Sequence, residues 1–380
     1  MKVLYCGVYR DGTGYSSATI DYVLALDAVG VDVVPRAIKL NNHQPTLPPR
    51  LLELESKSSA GCDICVQHLL PHQMQANGRF RANLGLFVWE TSHFKNSAWA
   101  DRLNARDGVI VPDHGTGRAY YESGGNQILR MVPHATDITR FQRSYEPLDV
   151  LKPHRENGSF LFYFIGELVR RKNLAALLKA FHTEFDPSEN VELVIKGSLP
   201  GASPAQAKQH IEHTCSEIKR GLKLHGGRGA HYKQEIILTE RLSEVGMMRL
   251  HAGCDCFVMP SFGDAWNICA FDSMAMGKTP IVSAAGGFLE YLSDETGWLV
   301  ETREEPVFGV NDSFRDLYTG GEFWHSVDIR HLRRCMREAY EQRELKTQKA
   351  AAGIQRAYDF THEAVGLQFQ KVLEFYGSQT

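Results

Sequence analysis

The sequence predicts an α/β protein with two doubly wound, Rossmann-like domains, and three observations predict this fold class. The chain opens on an apolar strand, a glycine-rich turn, a helix and a second strand, the βαβ unit that begins such domains. The same order restarts near residue 160. A third unit of strand, loop, helix and strand lies between Met259 and Gly287. A length of 380 residues accommodates two domains of this kind.

Composition and charge are those of an ordinary globular protein. Hydrophobic residues make up 43% and charged residues 23%, and the mean hydropathy is -0.30. The net charge of -3 gives no general electrostatic reason to expect a nucleic-acid or anionic-membrane partner. No apolar run approaches the roughly 18 residues that span a bilayer, and "MKVLYCGVY" is typical of a first strand rather than a signal peptide. We therefore expect a cytoplasmic protein without a transmembrane segment, for which peripheral membrane contact stays open.

The eight cysteines do not follow the spacing of a metal site. Cys62 and Cys65 form one close pair and Cys254 and Cys256 another, but neither has a second pair at the spacing of a zinc finger. We expect them to be small buried hydrophobic residues of a reducing cytoplasm. No metal is predicted.

The first βαβ unit can be followed residue by residue. Residues 2–9 are a strand, and Ser16 or Ser17 is expected to cap a helix that runs to about Val29. Gly30 then ends the helix, and "VDVV" begins the next strand.

The turn in this unit contains two glycines at a spacing that suits a phosphate. Gly12 and Gly14 allow close approach of a ligand to the backbone, although a simple tight turn explains them equally well. The dinucleotide pattern G-x-G-x-x-G is not met, because its third glycine position is Ser17. A nicotinamide cofactor is therefore not predicted.

Three further buried strands follow in the first half, at residues 63–68, 83–89 and 108–112. Glu90 and His93 come directly after the second of them. Open α/β sheets place ligand-contacting residues at the carboxyl ends of their strands. Both side chains are therefore candidates for a site.

The middle of the chain separates the two halves. Residues 130–142 close the first domain, and residues 144–159 are polar and are expected to form a linker. Residues 201–234 predict an amphipathic helix followed by a glycine-rich loop, with a lid or acceptor-contacting insertion as the alternative.

A basic turn follows the first strand of the second half, at residues 160–168. Arg170, Arg171 and Lys172 stand at its carboxyl end, where they suit an anion. Three adjacent basic residues are usually a solvated turn. Their expected place opposite the helix that follows Asp264 favours an anion clamp.

Asp264 and Asp272 bracket the start of the helix in the third unit, with seven residues between them. The N-terminus of such a helix presents free amides and a positive dipole end to an anion. The amides concerned belong to Ala265, Trp266, Asn267 and Ile268. Asp264 can accept hydrogen bonds from hydroxyls beside the anion, and Asp272, up to about 12 Å further along, can serve other hydroxyls. A phosphate between two groups of hydroxyls describes a nucleotide sugar.

The end of the chain is predicted to be helical. Strand character is lost after residues 297–300, and a final helix begins at about Thr361. Its apolar residues fall on one face, so that it packs against another element. They are Val365, Phe369, Val372, Leu373 and Tyr376.

Four separated blocks resemble the family 4 retaining glycosyltransferases, which are group 1 glycosyl transferases of the GT-B fold. The longest block, "DAWNICAFDSMAMGKTPIVSAAGGFLEYLSDETGWLV", follows the family pattern of two acidic residues seven apart and a later "GG--E". The blocks "GELVRRKN" and "VPHATDITRF" are similar to the diphosphate-binding turn and the domain junction of the family. "WETSHFKNSAWADRLNARDGVIVP" is similar to a subgroup of it.

This resemblance implies a two-domain enzyme with a cleft. Residues 1–150 would form the acceptor-side domain, residues 151–358 the nucleotide-sugar domain, and residues 359–380 a helix that packs back on the first. The implied activity is transfer of a sugar, with retention of configuration, from a UDP- or GDP-sugar to an unidentified acceptor (EC 2.4). The acceptor classes are a glycan, a lipid-linked molecule or a small molecule, and no cofactor is required.

The resemblance also implies roles for individual residues. Arg171, Lys172 and the helix amides would stabilise the leaving diphosphate in place of a divalent cation. Asp264 would bind hydroxyls of the transferred sugar, and Asp272 those of the ribose. Either Glu90 or His93 would contact the transferred sugar from the first domain.

Several departures from the family pattern keep alternatives open. Both signature glutamates are aspartates here, the usual glycine three residues after the first is Asn267, and Glu167 stands where many members have an arginine. A sugar-nucleotide-binding protein without turnover is one alternative. A nucleic-acid acceptor is another, if residues 206–234 form a basic face. An epimerase or phosphorylase on this fold, and a hydrolase that uses both aspartates, are less favoured.

Overall fold

The N-terminal half of the protein forms a six-stranded parallel sheet in the order β2-β1-β3-β4-β5-β6. The computed structural model describes residues 1–39, 45–224, 232–311 and 313–378. The strands are β1 (Lys2–Gly7), β2 (Asp32–Ala37), β3 (Ile64–His68), β4 (Ala82–Leu86), β5 (Gly108–Val111) and β6 (Leu129–Met131). The helices between them are α1 (Gly14–Ala28), α2 (Pro49–Ser56), α3 (Trp99–Asn104) and α4 (His114–Glu122). Every residue of β3, β4 and β5 is buried, as expected for strands covered on both faces.

The C-terminal half repeats this architecture with the strand order β12-β11-β10-β7-β8-β9. Its strands are β7 (Phe160–Glu167), β8 (Val191–Ser198), β9 (Ile236–Leu238), β10 (Cys256–Met259), β11 (Ile281–Ser283) and β12 (Trp298–Val300). Its helices are α5 (Lys152–Glu156), α6 (Leu174–Glu184), α7 (Pro204–Leu222), α8 (Glu244–Gly253), α9 (Ile268–Ala275), α10 (Ile329–Glu341) and α11 (Arg343–Ala357). The predicted class of two Rossmann-like sheets is confirmed. The predicted helix in residues 201–234 is α7, while the glycine-rich part at residues 225–231 lies outside the described residues.

A two-stranded antiparallel hairpin follows β12 and corrects the prediction that strand character ends there. Its strands are β13 (Thr302–Pro306) and β14 (Phe323–Val327), with Thr302 opposite Val327 and Pro306 opposite Phe323. β13 reads "TREEP" and contains no buried residue, so no alternation of apolar and polar residues predicts this strand from the sequence. Burial of Trp324 and backbone pairing hold the hairpin instead.

One local prediction was wrong, and one segment contains more structure than was predicted. The cap of α1 is Thr13, not Ser16 or Ser17, because the Thr13 side chain accepts from the backbone nitrogen of Ser16 and the helix can begin at Gly14. The segment at residues 144–159, which was predicted as a polar linker, contains the short helix α5. Leu151, just before α5, is fully buried and therefore anchors this segment.

The last helix, α12 (His362–Ser378), lies against elements of the N-terminal half. It packs against α1, where Gly366 lets the two backbones approach: a Cβ there would lie 2.2 Å from the carbonyl oxygen of Ala25. The five predicted apolar residues of its face are all buried. At the crossing, Thr136 pairs with Thr361 in a parallel bridge. We keep the boundaries 1–150, 151–358 and 359–380 as our proposal for the domains.

Two wider expectations can be set against the structure. All eight cysteines are free and six of them are buried, in agreement with their prediction as small core residues. Within the described ranges, no helix combines the length and the apolar character needed to cross a bilayer.

Candidate active site

The loop that carries Asp264 is held in place by a pair of glycines after β11. A Cβ on Gly287 would lie 1.8 Å from the carbonyl oxygen of Ala265, and one on Gly286 would lie 2.5 Å from that of Asp264. The backbone nitrogen of Gly287 donates to the carbonyl of Asp264 over 2.8 Å. The loop can therefore adopt this path only because both residues lack a side chain.

Asp264 lies buried between two cations. Arg171 Nη1 and Lys172 Nζ donate to Asp264 Oδ1 over 2.9 and 2.6 Å, and Asn267 Nδ2 donates to Oδ2 over 3.1 Å. Burial acts to raise the pKa of Asp264, but the charges of Lys172 and Arg171 outweigh it and hold the pKa well below its usual range. The carboxylate is therefore ionised, and it neutralises part of the basic turn in this structure.

Arg171 also binds Glu90 from the opposite half of the molecule. Its Nε forms an ion pair with Glu90 Oε1 at 2.9 Å, and its Nη1 donates to the carbonyl of Gly263 over 2.7 Å. A Cβ on Gly263 would lie 2.2 Å from the Glu90 carbonyl, so the two loops are in direct contact. Tyr318 donates to the same carboxylate oxygen of Glu90 over 2.7 Å. The structure thus brings Arg171, Lys172, Asp264 and Glu90 together.

His93 lies elsewhere in the same loop. Its Nε2 is 3.0 Å from the carbonyl oxygen of Gly321, to which a protonated nitrogen donates. Glu90, not His93, is the residue that meets Arg171. Their roles toward a sugar stay a prediction.

The start of α9 faces the glycine turn of the first half. Asn267 takes a left-handed conformation (φ 66°), and its side chain caps the helix by accepting from the backbone nitrogen of Ala270 over 3.0 Å. A Cβ on Gly14 would lie 3.7 Å from Ile268 Cδ1, which places the turn against the helix start. The carbonyl of Gly12 accepts from Arg241 Nη2 over 3.0 Å.

Trp266 and Ala265, the remaining residues of this loop, contact other parts of the protein. The carbonyl of Trp266 accepts from the Tyr291 hydroxyl over 2.8 Å, and the Trp266 ring is buried beside His134, with ring centroids 5.1 Å apart. The Ala265 carbonyl faces Gly287. Their backbone nitrogens lead into the N-terminus of α9, where an anion would meet them.

Asp272 occupies a separate pocket on the face of α9, paired with Arg140. Arg140 Nη2 donates to Asp272 Oδ1 over 2.7 Å. His134 and Thr136 also line this pocket. Within the described residues, His134 Nδ1 and Thr136 Oγ1 are buried without a hydrogen-bond partner. Unsatisfied buried polar atoms indicate that this pocket suits a polar ligand group.

Burial dominates the protonation of this pocket. It raises the pKa of Asp272 to about 6, against the opposing charge of Arg140, and lowers the pKa of His134 to about 3. A neutral His134 and an Asp272 that is paired with Arg140 can both accept hydrogen bonds. The pocket can therefore bind hydroxyl groups.

Sequence reasoning missed Arg140 and Tyr318. Arg140 lies 132 residues before Asp272, and Tyr318 lies 228 residues after Glu90. Arg140 belongs to the block "VPHATDITRF", but nothing in that block marks it as a partner of Asp272, and Tyr318 belongs to no block. Only the fold places them beside the predicted residues.

The described part of α7 does not present an unpaired basic face. Its three basic residues each have an acidic partner: Lys208 with Glu212 at 3.9 Å, Lys219 with Glu235 at 2.8 Å, and Arg220 with Glu217 at 2.6 Å. The charge of the helix is therefore largely balanced. This observation lends no support to a nucleic-acid acceptor.

Comparison with known proteins supports a glycosyltransferase. Residues 159–309 match the family model described as Glycosyl transferases group 1. An uncharacterized glycosyltransferase of Bacillus subtilis is 27% identical over 164 residues, which are 43% of this chain and 40% of the relative. One of Methanocaldococcus jannaschii is 24% identical over 159 residues, 41% of this chain and 36% of the relative. The chain thus matches about two fifths of the length of these curated relatives.

Similarity to solved structures extends over the whole chain. Anabaena HepE in complex with UDP-glucose superposes with a TM-score of 0.65 at 14% identity, over 99% of this chain and all of that one. At such identity the likeness shows the fold alone. The fold is GT-B, as predicted.

Proposed function

We propose that the protein is a retaining glycosyltransferase that uses a nucleoside diphosphate sugar as donor. The observation that carries this proposal is the cluster of Arg171, Lys172 and Asp264 at the start of α9. It combines two half-buried cations, a helix N-terminus and an ionised carboxylate at the edge of a parallel sheet. A diphosphate attached to hydroxyl-bearing sugars matches each of these groups.

The donor would exchange partners with the site. In this structure Arg171 and Lys172 are neutralised by carboxylates of the protein. On binding, the diphosphate would take over part of these contacts and also meet the amides from Ala265 to Ile268. The two cations and the helix dipole would then stabilise the charge that develops on the leaving group, so that no divalent cation is required.

Hydroxyl recognition would fall to the carboxylates on both sides of the phosphates. Asp264 would bind the transferred sugar, with Glu90 facing it from the opposite half. Asp272 would bind the ribose in its pocket beside His134. The glycine turn at Gly12 and Gly14 lies against α9, so it would close over the phosphates.

The electrostatics of Asp264 favour transfer over glycosidase chemistry. Its low pKa prevents it from acting as a general acid near neutral pH. Its contacts with Arg171 and Lys172 also reduce its strength as a nucleophile. The family resemblance implies retention of configuration, with departure and attack on the same face of the sugar. In this mechanism Asp264 acts neither as a general acid nor as a nucleophile.

The donor base is proposed to be uracil, with guanine as the alternative. HepE, which shares the fold, was solved with UDP-glucose. The acceptor is a glycan, a lipid-linked molecule or a small molecule.

A thermal-shift panel with UDP, GDP, ADP and their sugars tests this proposal. A ligand at about 100 times its Kd adds roughly 2.7 kcal/mol to stability, which gives a clear rise in Tm. Arg171→Ala should abolish the rise, whereas Arg220→Ala, which removes an exposed arginine of α7, should preserve it. Absence of a shift with every nucleotide in the unmodified protein would contradict the proposal.

A sugar-nucleotide-binding protein without turnover is the second candidate. It is favoured by the two aspartates, each one methylene shorter than the family glutamate, and by their existing ion pairs with Arg171 and Arg140. Measurement of UDP release from UDP-glucose separates the two. Release that disappears in Asp264→Ala supports the transferase, and binding without release supports the second candidate.

A further inference from the structure

The segment between β13 and β14 reaches across to the N-terminal half, and we name residues 313–322 the strap. Its base is fixed to the site loop, because the rings of Trp324 and Phe262 stack with centroids 4.4 Å apart. In addition, the backbone nitrogen of His325 donates to the carbonyl of Phe262 over 2.8 Å. The strand β14, into which the strap leads, is therefore attached to the loop that precedes Asp264.

The far side of the strap is bound to the N-terminal half by both apolar and polar contacts. Leu317 is buried in the apolar cluster that includes Phe87 and Phe94. Asn96 Nδ2 donates to Thr319 Oγ1 over 2.8 Å. Next to the strap, Ser92 exchanges two hydrogen bonds of 2.9 Å with the backbone of Phe323. Such contacts fix the strap on the residues that surround Glu90.

Tyr318 is held at the centre of this contact in a conformation that tyrosine rarely adopts. Its φ is 56°, in the left-handed region, where a bulky residue is strained unless its surroundings fix it. Its ring stacks on Trp89 with centroids 5.2 Å apart and planes at 29°. Its hydroxyl donates to Glu90 Oε1. Strained residues held in this way cluster at functional sites.

The hydrogen bonds around Glu90 leave room for a ligand. The Tyr318 hydroxyl donates to Oε1 over 2.7 Å, and Arg171 Nε forms an ion pair with the same oxygen at 2.9 Å. Within the described part of the chain, Oε2 thus keeps its capacity to accept from a hydroxyl. Burial and the nearby Glu90 raise the pKa of Tyr318 well above its usual value, so its hydroxyl keeps its proton and donates.

We propose that Tyr318 is a positioning residue for the transfer reaction, because its hydroxyl fixes the Glu90 carboxylate beside Arg171 so that Oε2 faces the transferred sugar. The strap in this arrangement forms the acceptor-side wall of the cleft. This inference rests on the proposed glycosyltransferase function. It adds to the site a residue from the hairpin that neither the basic turn nor the signature helix contains.

The test compares Tyr318→Phe with the unmodified protein, using UDP-glucose as donor. Titration calorimetry gives the Kd, and UDP release gives kcat. Tyr318→Phe keeps the ring on Trp89 and loses only the hydroxyl. We expect kcat to fall at least tenfold while Kd changes less than twofold, because Glu90 stays in place but no longer holds one orientation.

A double-mutant cycle shows whether Tyr318 acts through Glu90. In the Glu90→Gln background, Tyr318→Phe should reduce kcat by less than a further twofold. Tyr120→Phe is the matched control. Its hydroxyl is also buried, donates to Asn104 over 2.8 Å and accepts from the backbone of Gln127 over 3.0 Å, away from the cleft. The control should keep the kcat of the unmodified protein.

Each other outcome has a definite meaning. An unchanged kcat in Tyr318→Phe, additive effects in the cycle, or an equal loss in Tyr120→Phe would each overturn the role of Tyr318 and leave the proposed function standing. If the unmodified protein binds UDP-glucose but releases no UDP, the role of Tyr318 is overturned as well, and the non-catalytic candidate is favoured. An unmodified protein that binds none of the nucleotide sugars would overturn the proposed function together with this inference.

Discussion

The Asp264 side chain determines the charge balance of the candidate site. It is 5% exposed and contacts both Arg171 and Lys172. Removal of one partner from a buried ion pair leaves charges that water cannot reach, which costs about 3 kcal/mol or more. The same change would remove the carboxylate that is proposed to accept hydrogen bonds from the transferred sugar.

Asp264→Asn is therefore expected to reduce the free energy of unfolding by about 3 kcal/mol and to abolish donor consumption. Urea unfolding and UDP release measure the two effects. Asp149→Asn, which removes a carboxylate of exposed ion pairs with Lys152 and Arg249, should change neither. An Asp264→Asn protein as stable as the unmodified one would show that Glu90 alone can balance Arg171.

The buried histidines predict a loss of stability in mild acid. Burial lowers the pKa of His251 to about 3, whereas an unfolded histidine has a pKa of about 6.5. The unfolded chain then binds the proton that the folded chain refuses, so stability that is present above pH 6.5 falls as the pH decreases toward 3. The slope for one such residue is about 1.4 kcal/mol per pH unit.

His251→Gln is expected to flatten this dependence between pH 6 and pH 4, because glutamine does not titrate there. Urea unfolding at several pH values measures the slope, independently of any change in absolute stability. His213→Gln, at an exposed position of α7, should leave the slope as it is. An unchanged slope in His251→Gln would contradict the assignment of a neutral buried ring.

Among the elements, the glycine pair after β11 fixes the loop before α9. An alanine at position 287 would place its Cβ 1.8 Å from a backbone oxygen, which cannot rotate away as a side chain can. Gly287→Ala is expected to lower stability by about 1–3 kcal/mol and UDP release by more than 100-fold. Thermal unfolding and the release assay measure these effects.

Gly221→Ala provides the control for this substitution. Among the described residues outside its own helix and its chain neighbours, no atom lies within 4 Å of the position of its Cβ, and the residue belongs to α7. Alanine there should raise stability by about 0.5–1 kcal/mol, because it restricts the unfolded chain and favours the helix. A loss of activity in Gly221→Ala, or none in Gly287→Ala, would show that loop position does not control the site.

Elements with a strong local pattern could be predicted from the sequence, and those held by distant contacts could not. The β7 turn and the loop before α9 were predicted because strands, basic residues and glycines follow one another at close spacing. The hairpin β13–β14 has an acidic first strand with no buried residue, and it is stabilised by backbone pairing, by burial of Trp324 and by contacts with Phe262 and the N-terminal half. Tyr318 was missed with it, because the role of that residue depends entirely on this tertiary contact.

The whole molecule is joined through its C-terminal helix, which crosses back to the first sheet. Gly366 of α12 lies so close to α1 that a Cβ would be 2.2 Å from the carbonyl oxygen of Ala25. Gly366→Ala should therefore push the two helices apart and cost about 1–3 kcal/mol. Thermal unfolding measures this change. Leu367→Ala, at an exposed neighbour on the same helix, should remain within about 0.5 kcal/mol of the unmodified protein.

The architecture of the whole molecule was the most predictable level, because two restarts of the βαβ pattern and one amphipathic last helix define it. The side-chain contacts between the two halves could not be predicted in the same detail. Arg140 meets Asp272, and Arg241 meets Gly12, only because the halves pack together. No periodicity within either half encodes such pairs.

The chain passes from the first half to the second and later passes back. The bridge between Thr136 and Thr361 places these two crossings side by side. A rotation that opens the cleft would therefore have its axis near this bridge, as on a hinge. The pocket of Asp272, which Thr136 itself lines, moves least in such a rotation, and contacts farther from the line move more. We therefore expect the nucleoside end of the site to stay assembled when the molecule opens, so that the base and ribose are selected before the sugar.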